Sequence, residues 1–361
     1  QAAIDLAVSF SDNVIVLPGT YKGVGNKNLN FNGKSCSIEG QAGAADTIID
    51  CEGSGRGFYF VSGESSVAVV DSFTIKNGHS SGYGGGIYIG GSSPTIQNCI
   101  IESCSAKDGG GVCFYNGTAS ISNCIIKNNT STEMMHGGGG IQCYTGGNPT
   151  IKNCIITGNV SSLGFGGGIY CNGGSPVVKN CTIILNSATW GGGLAVKNVN
   201  PAFTNVILWD DTAPYDPEVY LISASPTISY SVIKGGWSGA GSNNIDTNPE
   251  LLSDFHIPGW SPCIDAGFQG IFFGVYDDID GDARPQGSGM DIGADELYDF
   301  DGDGLGDYSE QHTTLTYPCD PDCDNDGMSD GFEYRYGFNP WDDSDADDDF
   351  DEDGNTNYEE S

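Results

Sequence analysis

The chain has 361 residues, of which 48 are Asp or Glu and 13 are Lys or Arg, so its net charge at pH 7 is −35. A polyanion of this kind is repelled by nucleic acid and by anionic membranes, and both are excluded as partners. No apolar run reaches the roughly 18 residues that a spanning helix needs, so the sequence predicts no membrane span.

The chain opens with a segment that predicts a short amphipathic helix and then a strand. Ala2, Ile4 and Leu6 belong to this apolar turn, and the stretch VIVLPGTY follows at residues 14–21. This order resembles the opening of many secreted bacterial β-helix proteins, in which a helix plugs the first coil of a solenoid. The resemblance implies an extracellular or cell-surface protein whose export signal preceded Gln1.

A five-fold internal repeat fills the middle of the chain. Runs of three glycines recur every 25 to 29 residues, and each run is followed by a short apolar alternation. The runs lie at 84–86, 109–111, 138–140, 166–168 and 191–193, and a second phrase between them aligns Asn98, Asn123, Asn153, Asn180 and Asn205. Strands this short and rich in Ile, Val and Thr suit three strands per coil. The repeat predicts an all-β fold, a right-handed parallel β-helix of about nine coils.

The alternation also predicts which side chains fill the solenoid, because only every second strand residue faces the core. Three inward stacks follow from the alignment: Ile87, Val112, Ile141, Ile169 and Leu194; Ile89, Phe114, Cys143, Cys171 and Val196; and Cys99, Cys124, Cys154 and Cys181, continued by Ser72 and Val206. The stacked cysteines are expected to be reduced and to pack as small apolar groups. Cys319 and Cys323 are the best candidates for a disulfide, and the sequence leaves Cys36, Cys51 and Cys263 open.

A second polar column follows six residues after each aligned asparagine. It consists of Asn129, Asn159 and Asn186, with Cys104 and Asp211 as variants and Asn77 in the preceding coil. Asparagine tolerates left-handed backbone and bonds its own turn, so both columns are expected to mark bends.

Residues 236–298 lose the repeat and contain the phrases SPCIDAG at 261–267 and DIDGDARPQGSGMDIGADE at 278–296. This pairing resembles the closing segment of secreted bacterial right-handed β-helix proteins, which are typically cell-surface or sorting-linked. The expected organisation is a solenoid with an N-terminal cap over residues 1–235, a C-terminal cap over 236–298 and an acidic tail over 299–361. Arg284 is expected to anchor Asp291 or Asp265.

The tail holds 22 acidic residues and one basic residue, Arg335. Three segments, which start at Asp299, Asp322 and Asp349, fit the pattern D-x-D-x-D-G-x-x-[DN]-x-x-E. Carboxylates at positions 1, 3 and 5 converge on one cation, Gly at position 6 permits a sharp turn, and Glu at position 12 chelates with both oxygens. Hard oxygen ligands of this kind favour calcium, so the sequence predicts about three calcium ions as cofactors.

These segments resemble thrombospondin type 3 calcium repeats and, more loosely, dockerin loops. The resemblance implies three ligand sets: Asp299, Asp301, Asp303, Asp307 and Glu310 with the Leu305 carbonyl; Asp322, Asp324, Asp326, Asp330 and Glu333 with the Met328 carbonyl; and Asp349, Asp351, Asp353, Asn357 and Glu360 with the Asn355 carbonyl. Asn357 departs from the usual Asp and is expected to weaken the third site. The run 342–349 offers ligands shared between sites. Dockerins carry helices between their loops, whereas these connectors are short and Asp-rich, so docking to a cohesin is the less favoured interpretation.

The sequence offers few residues for catalysis. Only eleven Lys and Arg precede residue 236, and neither the Asp pairs with GHG and RIK phrases of pectin hydrolases nor the Arg-rich phrase of pectate lyases occurs. The nearest constellation is Lys107, Asp108, Glu133 and His136, on loops that enter consecutive glycine runs. His136 is more often a solvated loop residue, so a non-catalytic protein is favoured over an enzyme.

Tyr83, Phe165 and Trp190 each precede a glycine run directly, so stacked coils would align them as a stripe. An exposed aromatic stripe marks sugar stacking or a protein interface, although these rings could also simply cover a bend.

Three functional hypotheses follow. The first is a non-catalytic extracellular structural or adhesive protein that assembles with other copies of itself, with calcium ordering the tail. The second is a β-helix that binds or cleaves polysaccharide. The third is a calcium-dependent docking module for another surface protein.

Overall fold

The computed structural model describes residues 1–7, 12–270, 274–351 and 353–361. Twenty-six strands dominate the described chain, and the helices are short. The strands are β1 Asn13–Val16, β2 Gly19–Tyr21, β3 Ser37–Gly40, β4 Thr47–Asp50, β5 Phe58–Phe60, β6 Val69–Asp71, β7 Thr74–Lys76, β8 His79–Tyr83, β9 Ile87–Gly90, β10 Thr95–Gln97, β11 Ile100–Glu102, β12 Ser105–Asp108, β13 Val112–Tyr115, β14 Ser120–Lys127, β15 Thr130–Ser131, β16 Ile141–Tyr144, β17 Thr150–Thr157, β18 Val160–Phe165, β19 Ile169–Asn172, β20 Val177–Ile184, β21 Ser187–Trp190, β22 Leu194–Lys197, β23 Ala202–Trp209, β24 Val219–Ile222, β25 Thr227–Ser229 and β26 Val232–Ile233.

The helices are α1 Ala2–Leu6, α2 Asp307–Ser309, α3 Asp330–Tyr336 and α4 Asn357–Glu360, with 3-10 turns at Val24–Asn26 and Asp345–Asp347 and a π-helical turn at Glu310–Thr314. Among the described residues α3 is the longest helix, and none is long and apolar enough to cross a bilayer.

The strands form three sheets that wind into a parallel solenoid. Sheet 1 has fourteen strands and contains β14, β17, β20 and β23; sheet 2 runs β5-β9-β13-β16-β19-β22-β24; and sheet 3 runs β8-β12-β15-β18-β21. The strand pairs within each sheet are parallel and join residues one coil apart. The fold is a right-handed parallel β-helix of about eight turns, which confirms the predicted class and lies close to the nine coils expected.

The predicted core stacks are found inside the solenoid, except that Ser72 does not continue the cysteine stack. Ser72 takes left-handed backbone at φ 64° and belongs to the bend, whereas the buried Phe73 is level with Cys99 because Thr74 pairs with Ile100. Val112 pairs with Ile87 and Ile141, Phe114 pairs with Ile89 and Cys143, and these side chains are fully buried. Cys124 pairs with Cys154, and all four cysteines of the third stack are buried thiols. Burial raises the pKa of the Cys99, Cys124 and Cys154 thiols well above its usual range, and the four stacked cysteines pack as small apolar groups.

The expected disulfide between Cys319 and Cys323 is wrong in this structure, where both are free thiols. The Cys323 thiol is directed into its own loop instead, where it accepts a hydrogen bond from the Tyr317 amide at 3.4 Å. Cys36, Cys51 and Cys263, which the sequence left open, are buried free thiols.

The two asparagine columns differ from one another. The first column takes left-handed backbone as predicted, with φ values of 47° to 54° at Asn98, Asn123, Asn153, Asn180 and Asn205. In the second column the left-handed residue is the preceding one, such as Asn128 at φ 56°, so Asn77 belongs to the bend and not to this column. The prediction of a bend was therefore displaced by one residue.

The side chains of the second column instead form a buried ladder that crosses the coils. The Asn129 amide donates to Asn159 Oδ1 at 3.0 Å, Asn159 donates to Asn186 Oδ1 at 2.9 Å, and Asn186 donates to Asp211 Oδ1 at 3.0 Å. The Cys104 backbone amide donates to Asn129 Oδ1 at the other end. This set is called the asparagine ladder below. It supplies hydrogen bonds to a fully buried corner of the solenoid.

The N-terminal helix packs on the first coil, as its amphipathic pattern predicts. Ile4 is buried in the main core, while Leu6 lies on the outer side of the helix. Lys34 Nζ donates to the Ile4 carbonyl at 2.9 Å and holds the helix end to the solenoid.

The segment after the repeats does more than follow the last coil. Residues 240 and 245 bridge to strands β25 and β26, and the chain then folds back over the outer face of sheet 1. There it is hydrogen-bonded to two of the aligned asparagines. Asn123 Nδ2 donates to the Asp278 carbonyl at 3.0 Å, and Asn153 Nδ2 donates to the Asp277 carbonyl at 2.7 Å. The segment therefore clamps the side of the solenoid in addition to its end.

Arg284 anchors this clamp, with partners that differ in part from those expected. Its guanidinium is buried and donates to the Asp291 and Gly293 carbonyls at 3.2 and 3.0 Å and to Glu296 Oε2 at 3.1 Å. Asp265 is not its partner, because that carboxylate accepts the Gly289 amide. The pairing of Glu296 with Arg284 could not be predicted from the sequence, where Glu296 is only the last residue of the phrase at 278–296.

The asparagine ladder makes a stability prediction. Asn159→Ala removes a central rung, so the buried Asn129 backbone amide and Ile126 carbonyl lose their hydrogen bonds to the Asn159 side chain, at about 1–3 kcal/mol for each buried group. We expect a loss of about 3 kcal/mol in the free energy of unfolding, measured by urea denaturation. The control Asn200→Ala, which removes one exposed hydrogen bond to Ser225, should cost less than about 1 kcal/mol. Equal losses in the two variants would contradict a structural role for the ladder.

Candidate functional site

The three acidic tail segments fold into loops with the same internal hydrogen bonds. In each loop the carboxylate at position 1 accepts the backbone amide of the glycine at position 6, at 3.0 Å in all three cases: Asp299 with Gly304, Asp322 with Gly327, and Asp349 with Gly354. These glycines have φ of 98° to 104°, a conformation that side chains with a Cβ rarely adopt.

Position 9 closes each loop. Asp307 accepts the Phe300 amide at 2.9 Å, Asp330 accepts the Cys323 amide at 2.8 Å, and Asn357 accepts the Phe350 amide at 3.2 Å. The Asn357 amide oxygen thus closes the third loop as an aspartate does, so this departure from the pattern preserves the loop geometry.

Carboxylate oxygens converge inside each loop. Ligand atoms of Asp299, Asp301 and Asp303 lie within 4.8 Å of one another, and the same holds for the corresponding residues of the other two loops, which are Asp322, Asp324 and Asp326, and Asp349, Asp351 and Asp353. A further group joins Asp326, Glu333 and Asp345. Asp345 comes from the run 342–349, which the sequence suggested as a source of shared ligands.

Several of these oxygens are buried and have no hydrogen-bond partner among the described residues. They are both oxygens of Asp301 and of Glu333, and one each of Glu310, Asp324, Asp326, Asp330 and Asp345. Buried acceptors without donors are costly, and a cation is the partner that all of them could share. The residues of the first two loops therefore fit a calcium ion, whose oxygen ligands they would supply.

Burial and the neighbouring carboxylates raise the pKa of Glu310 and of Glu333 to about 8. For Glu310 the neighbours are Asp299, Asp301, Asp303 and Asp307, so position 12 faces the other charges of its own loop. An unpaired charge there is unfavourable, which is the electrostatic setting of a cation site.

The third loop is more open than the others. Asp349, Asp351 and Asp353 are exposed, and Glu360 is exposed at the end of α4. The positions predicted to offer carbonyl ligands also differ, since the Leu305 and Met328 side chains are fully buried and Asn355 is exposed. The Leu305, Met328 and Asn355 carbonyls remain predicted ligands.

A short helix follows each loop, namely α2 with its π-helical turn, α3 and α4. The sequence argument that the connectors lack helices is wrong on this point, because each Glu at position 12 lies in or directly after the helix that follows its loop. Loop and helix alternate through the tail.

The tail also packs against its own closing segment. The Tyr308 ring stacks on His256 with centroids 4.5 Å apart, the Gly259 amide donates to the Gly304 carbonyl at 2.7 Å, and the Arg335 guanidinium lies 5.2 Å from the Trp260 ring centroid. The first two loops are therefore in contact with the β-helix part of the same chain.

His256 is the electrostatic centre of this contact. The ring is buried between Asp254 at 3.1 Å and Asp280 at 2.8 Å. Although burial lowers it, the two neighbouring carboxylates together raise the pKa of His256 to about 11, and the Asp280 carboxylate is hydrogen-bonded to Nε2. A protonated His256 satisfies the surrounding acids, so this cluster serves as an ionic anchor.

The four residues singled out as weak catalytic candidates form two pairs. Lys107 Nζ lies 2.9 Å from Glu133 in an exposed ion pair, and His136 Nδ1 lies 2.7 Å from Asp108 Oδ2. Asp108 is buried, its other oxygen accepts the Gly137 amide at 3.2 Å, and burial raises its pKa. The structure thus brings Asp108, at the end of β12 in sheet 3, together with His136, which precedes β16 of sheet 2.

The predicted aromatic stripe is aligned across the coils, but not all of it is exposed. Tyr83 pairs with Asp108, and Phe165 pairs with Trp190. The Trp190 ring stacks on Phe165 at 4.9 Å and is partly exposed, whereas Phe165 itself is buried beneath it. Tyr215 extends the stripe by one coil and is exposed.

Outward-facing tyrosines of sheet 2 enlarge this surface, and the sequence analysis missed them. Tyr83 stacks near Tyr88, Tyr115 and Tyr144 at centroid distances of 6.0 to 6.2 Å, and Tyr59 stacks on Tyr88 at 5.4 Å. Their signal is the second or fourth position of the phrase after each glycine run, because these positions point away from the core. Asp108 and His136 separate this tyrosine cluster from the rings around Trp190.

Comparison with known families places these features in context. A family model described as a right-handed beta helix region matches residues 26–208. The chain belongs to the right-handed β-helix family. No curated protein matches it. Among solved structures, the crystal structure of pectate lyase Pel9A is similar with a TM-score of 0.52 and 14% sequence identity, covering 82% of this chain and 90% of that one. At that identity the likeness shows the fold alone.

The acidic loops make a pH prediction for protein kept in chelator. Because the folded pKa of Glu310 and Glu333 is about 8, above the usual 4.5, both carboxyls are protonated in the folded tail at pH 5 and must either ionise or unfold as the pH rises. We expect hydrogen exchange of residues 299–361, corrected for intrinsic rates, to be about tenfold slower at pH 5 than at pH 7.5. Glu310→Gln with Glu333→Gln should remove most of this difference, and an unchanged profile in that variant would contradict the assignment.

Proposed function

We propose that this β-helix is an extracellular polysaccharide-binding protein whose glycan site is the outer surface where sheet 3 meets sheet 2 and whose tail is stabilised by calcium. The observation that carries the proposal is the pair of aromatic clusters on one face, separated by the buried Asp108 and its partner His136. Aromatic rings stack on sugar rings, and polar groups between them fix hydroxyl orientation.

The dimensions of this face suit an extended chain. Sheet 2 has seven strands, and at a spacing of about 4.8 Å it runs for about 29 Å along the solenoid axis. The tyrosine cluster lies on the earlier coils and the Trp190 cluster on the later ones, so a linear glycan along the axis could contact both. Binding in this direction needs no deep pocket.

The charge of the protein favours a neutral glycan. Lys107 is paired with Glu133, and the His136 ring is bonded to Asp108. The Arg56 guanidinium lies over the Tyr59 and Tyr88 rings, but it is part-buried and donates to the Tyr83 and Gly84 carbonyls and to Ser80. An anionic chain such as pectate would meet a protein of net charge −35 with few cations at this face to neutralise it. The likeness to pectate lyase Pel9A supports carbohydrate as the ligand class of the fold and carries no further weight at 14% identity.

Binding without cleavage is the form of the proposal that the site supports best. Asp108 and His136 form one acid–base pair, whereas glycoside hydrolysis ordinarily uses two carboxyl groups across the scissile bond. Glu133, the nearest other carboxylate among the candidates, is engaged by Lys107. We therefore expect no measurable turnover of polysaccharide, assayed by release of reducing ends.

The glycan site makes a direct prediction. Trp190→Ala and Tyr115→Ala should each weaken binding to a neutral polysaccharide by about tenfold, roughly 1.4 kcal/mol, because each removes one stacking platform. The measurement is affinity electrophoresis in gels that contain xylan, mannan or β-glucan, with pectate as the anionic comparison. Tyr276→Ala, which removes an exposed ring of the closing segment, is the matched control and should bind as the wild type does. Equal retardation of all variants, or retardation by pectate alone, would contradict the proposal.

Calcium in the tail makes a second prediction. Asp324→Ala should lower the calcium-dependent gain in thermal stability more than Asp351→Ala does, because Asp324 has a buried oxygen without a donor and Asp351 lies in the open third loop. Scanning calorimetry with calcium and with EDTA measures the difference. Stability that does not respond to calcium in the wild type would refute calcium as the tail cofactor.

Association through the tail is the second candidate function, covering the structural or adhesive and the docking hypotheses. The observation that favours it is a group of exposed tail aromatics, Tyr336, Trp341 and Phe350. Some of the tail aromatics are already covered by contacts within the chain. Phe338 packs on Phe332 and Phe350, and the Arg335 guanidinium lies over the Trp260 ring. Light scattering with and without EDTA tests this candidate, and a particle size that is the same in both would remove it.

A further inference from the structure

The asparagine ladder ends in an acid. Asn129, Asn159 and Asn186 each donate through Nδ2 and accept through Oδ1, and the last rung is Asp211, which accepts both the Asn186 side-chain amide and, at 2.7 Å, the Asn186 backbone amide. An asparagine at 211 would accept these bonds equally well through its own Oδ1. The negative charge at this rung is therefore not needed by the ladder.

The second oxygen of Asp211 faces another buried carboxylate. Asp211 Oδ2 and Glu218 Oε2 are both buried, neither accepts a hydrogen bond from the described residues, and both residues line the same cavity. The side chains are 5% and 7% exposed. Two acceptors cannot satisfy one another, so a proton or a cation has to lie between them.

Electrostatics makes a pair of free carboxylates unfavourable at this position. Burial, and then repulsion by Glu218, raises the pKa of Asp211 well above its usual range, and burial raises the pKa of Glu218 to about 7. The arrangement costs stability unless something neutralises it, whereas asparagine, the residue of the three preceding rungs, would avoid the cost.

Space for a ligand lies beside the two carboxylates. The next coil departs here, with left-handed glycines at 235 and 236, and leaves a cavity of about 440 Å³ whose walls include Asp211, Glu218, Asp216 and Trp237. At Gly193 a Cβ would come within 2.3 Å of Asp211 Oδ2, so the glycine keeps that oxygen free of side-chain contact.

The charge of the cavity favours a cation over an anion. Lys234 also lies on the wall, but its ammonium is paired with Asp210 and lies 5.6 Å from the Trp209 ring centroid. Asp211, Asp216 and Glu218 leave the remaining wall negative. All of the available ligand atoms are hard oxygens, and the cavity has room for the waters that complete the coordination of calcium.

We infer that Asp211 and Glu218 bind one calcium ion in this cavity, at the end of the asparagine ladder and separate from the tail loops. The ion satisfies Asp211 Oδ2 and Glu218 Oε2 together, and water in the cavity would complete its coordination. It would join the last ladder rung to the segment that leads into β24 and so hold the final coils together.

Terbium luminescence in the full-length protein tests this site, because terbium replaces calcium at oxygen sites and is excited through a nearby tryptophan. Trp237 lies on the cavity wall, so Trp237→Phe identifies the part of the emission that arises here. We expect Asp211→Asn and Glu218→Gln each to lose that part of the emission and to bind one calcium ion fewer in equilibrium dialysis. Glu102→Gln, an ion-paired glutamate on the outer face, is the matched control and should match the wild type on both measurements.

Unfolding of the same variants separates the ion from a shared proton. In EDTA, Asp211→Asn should be more stable than the wild type, since an asparagine there can donate to Glu218; in saturating calcium the wild type should regain the difference. Because asparagine is already the ladder residue, this variant is expected to fold. Unchanged terbium emission in both variants, with the same stability advantage of Asp211→Asn in EDTA and in calcium, would mean that the pair shares a proton and would overturn the site.

Discussion

Registered stacking of one coil on the next is the constraint on which the rest of this structure depends. Parallel pairing places each residue beside its counterpart one coil away. Each side chain therefore packs against, or hydrogen-bonds to, the side chain at the same position of the next coil. Apolar positions become continuous internal stacks, and the polar corner becomes the asparagine ladder. Outward positions become columns such as the tyrosines of sheet 2. Both candidate binding surfaces of the β-helix, the aromatic face and the cavity at the ladder end, are products of this register.

The same register explains how much of the fold was predictable. The spacing of the repeats shows which residues of successive coils are aligned, and the alternation along each strand shows which of them face inward. The stacks that contain Ile87, Ile89 and Cys99 could therefore be predicted from the sequence. The direction of a bend side chain could not, because a shift of one residue separates Asn128, which takes the left-handed backbone, from Asn129, which enters the core. The clamp of the closing segment was also out of reach, since Asn123 and Asp278 are 155 residues apart and share no pattern.

The candidate sites also differ in how far the sequence could predict them. The tail loops carry their spacing in the sequence, and the structure adds Asp345, a shared neighbour that the spacing of a single loop cannot indicate. Asp211 appeared in the sequence as a variant of an asparagine column, and its meaning depends on Glu218, whose approach follows from the path of the chain after the last complete coil. Ligands that lie within one short motif can thus be predicted from the sequence. Ligands that come from different coils can be identified only from the three-dimensional structure.

The clamp has a mechanical consequence. A force applied to the C-terminal tail passes through the contact with His256 and Tyr308 and then through the hydrogen bonds of Asp277 and Asp278 to Asn153 and Asn123. The load thus reaches the middle coils of the solenoid directly, in addition to the covalent path through the last coil. The last coil, which would otherwise carry the whole tension and unfold first, is relieved of part of it. A protein held by its tail would therefore share tension among several coils.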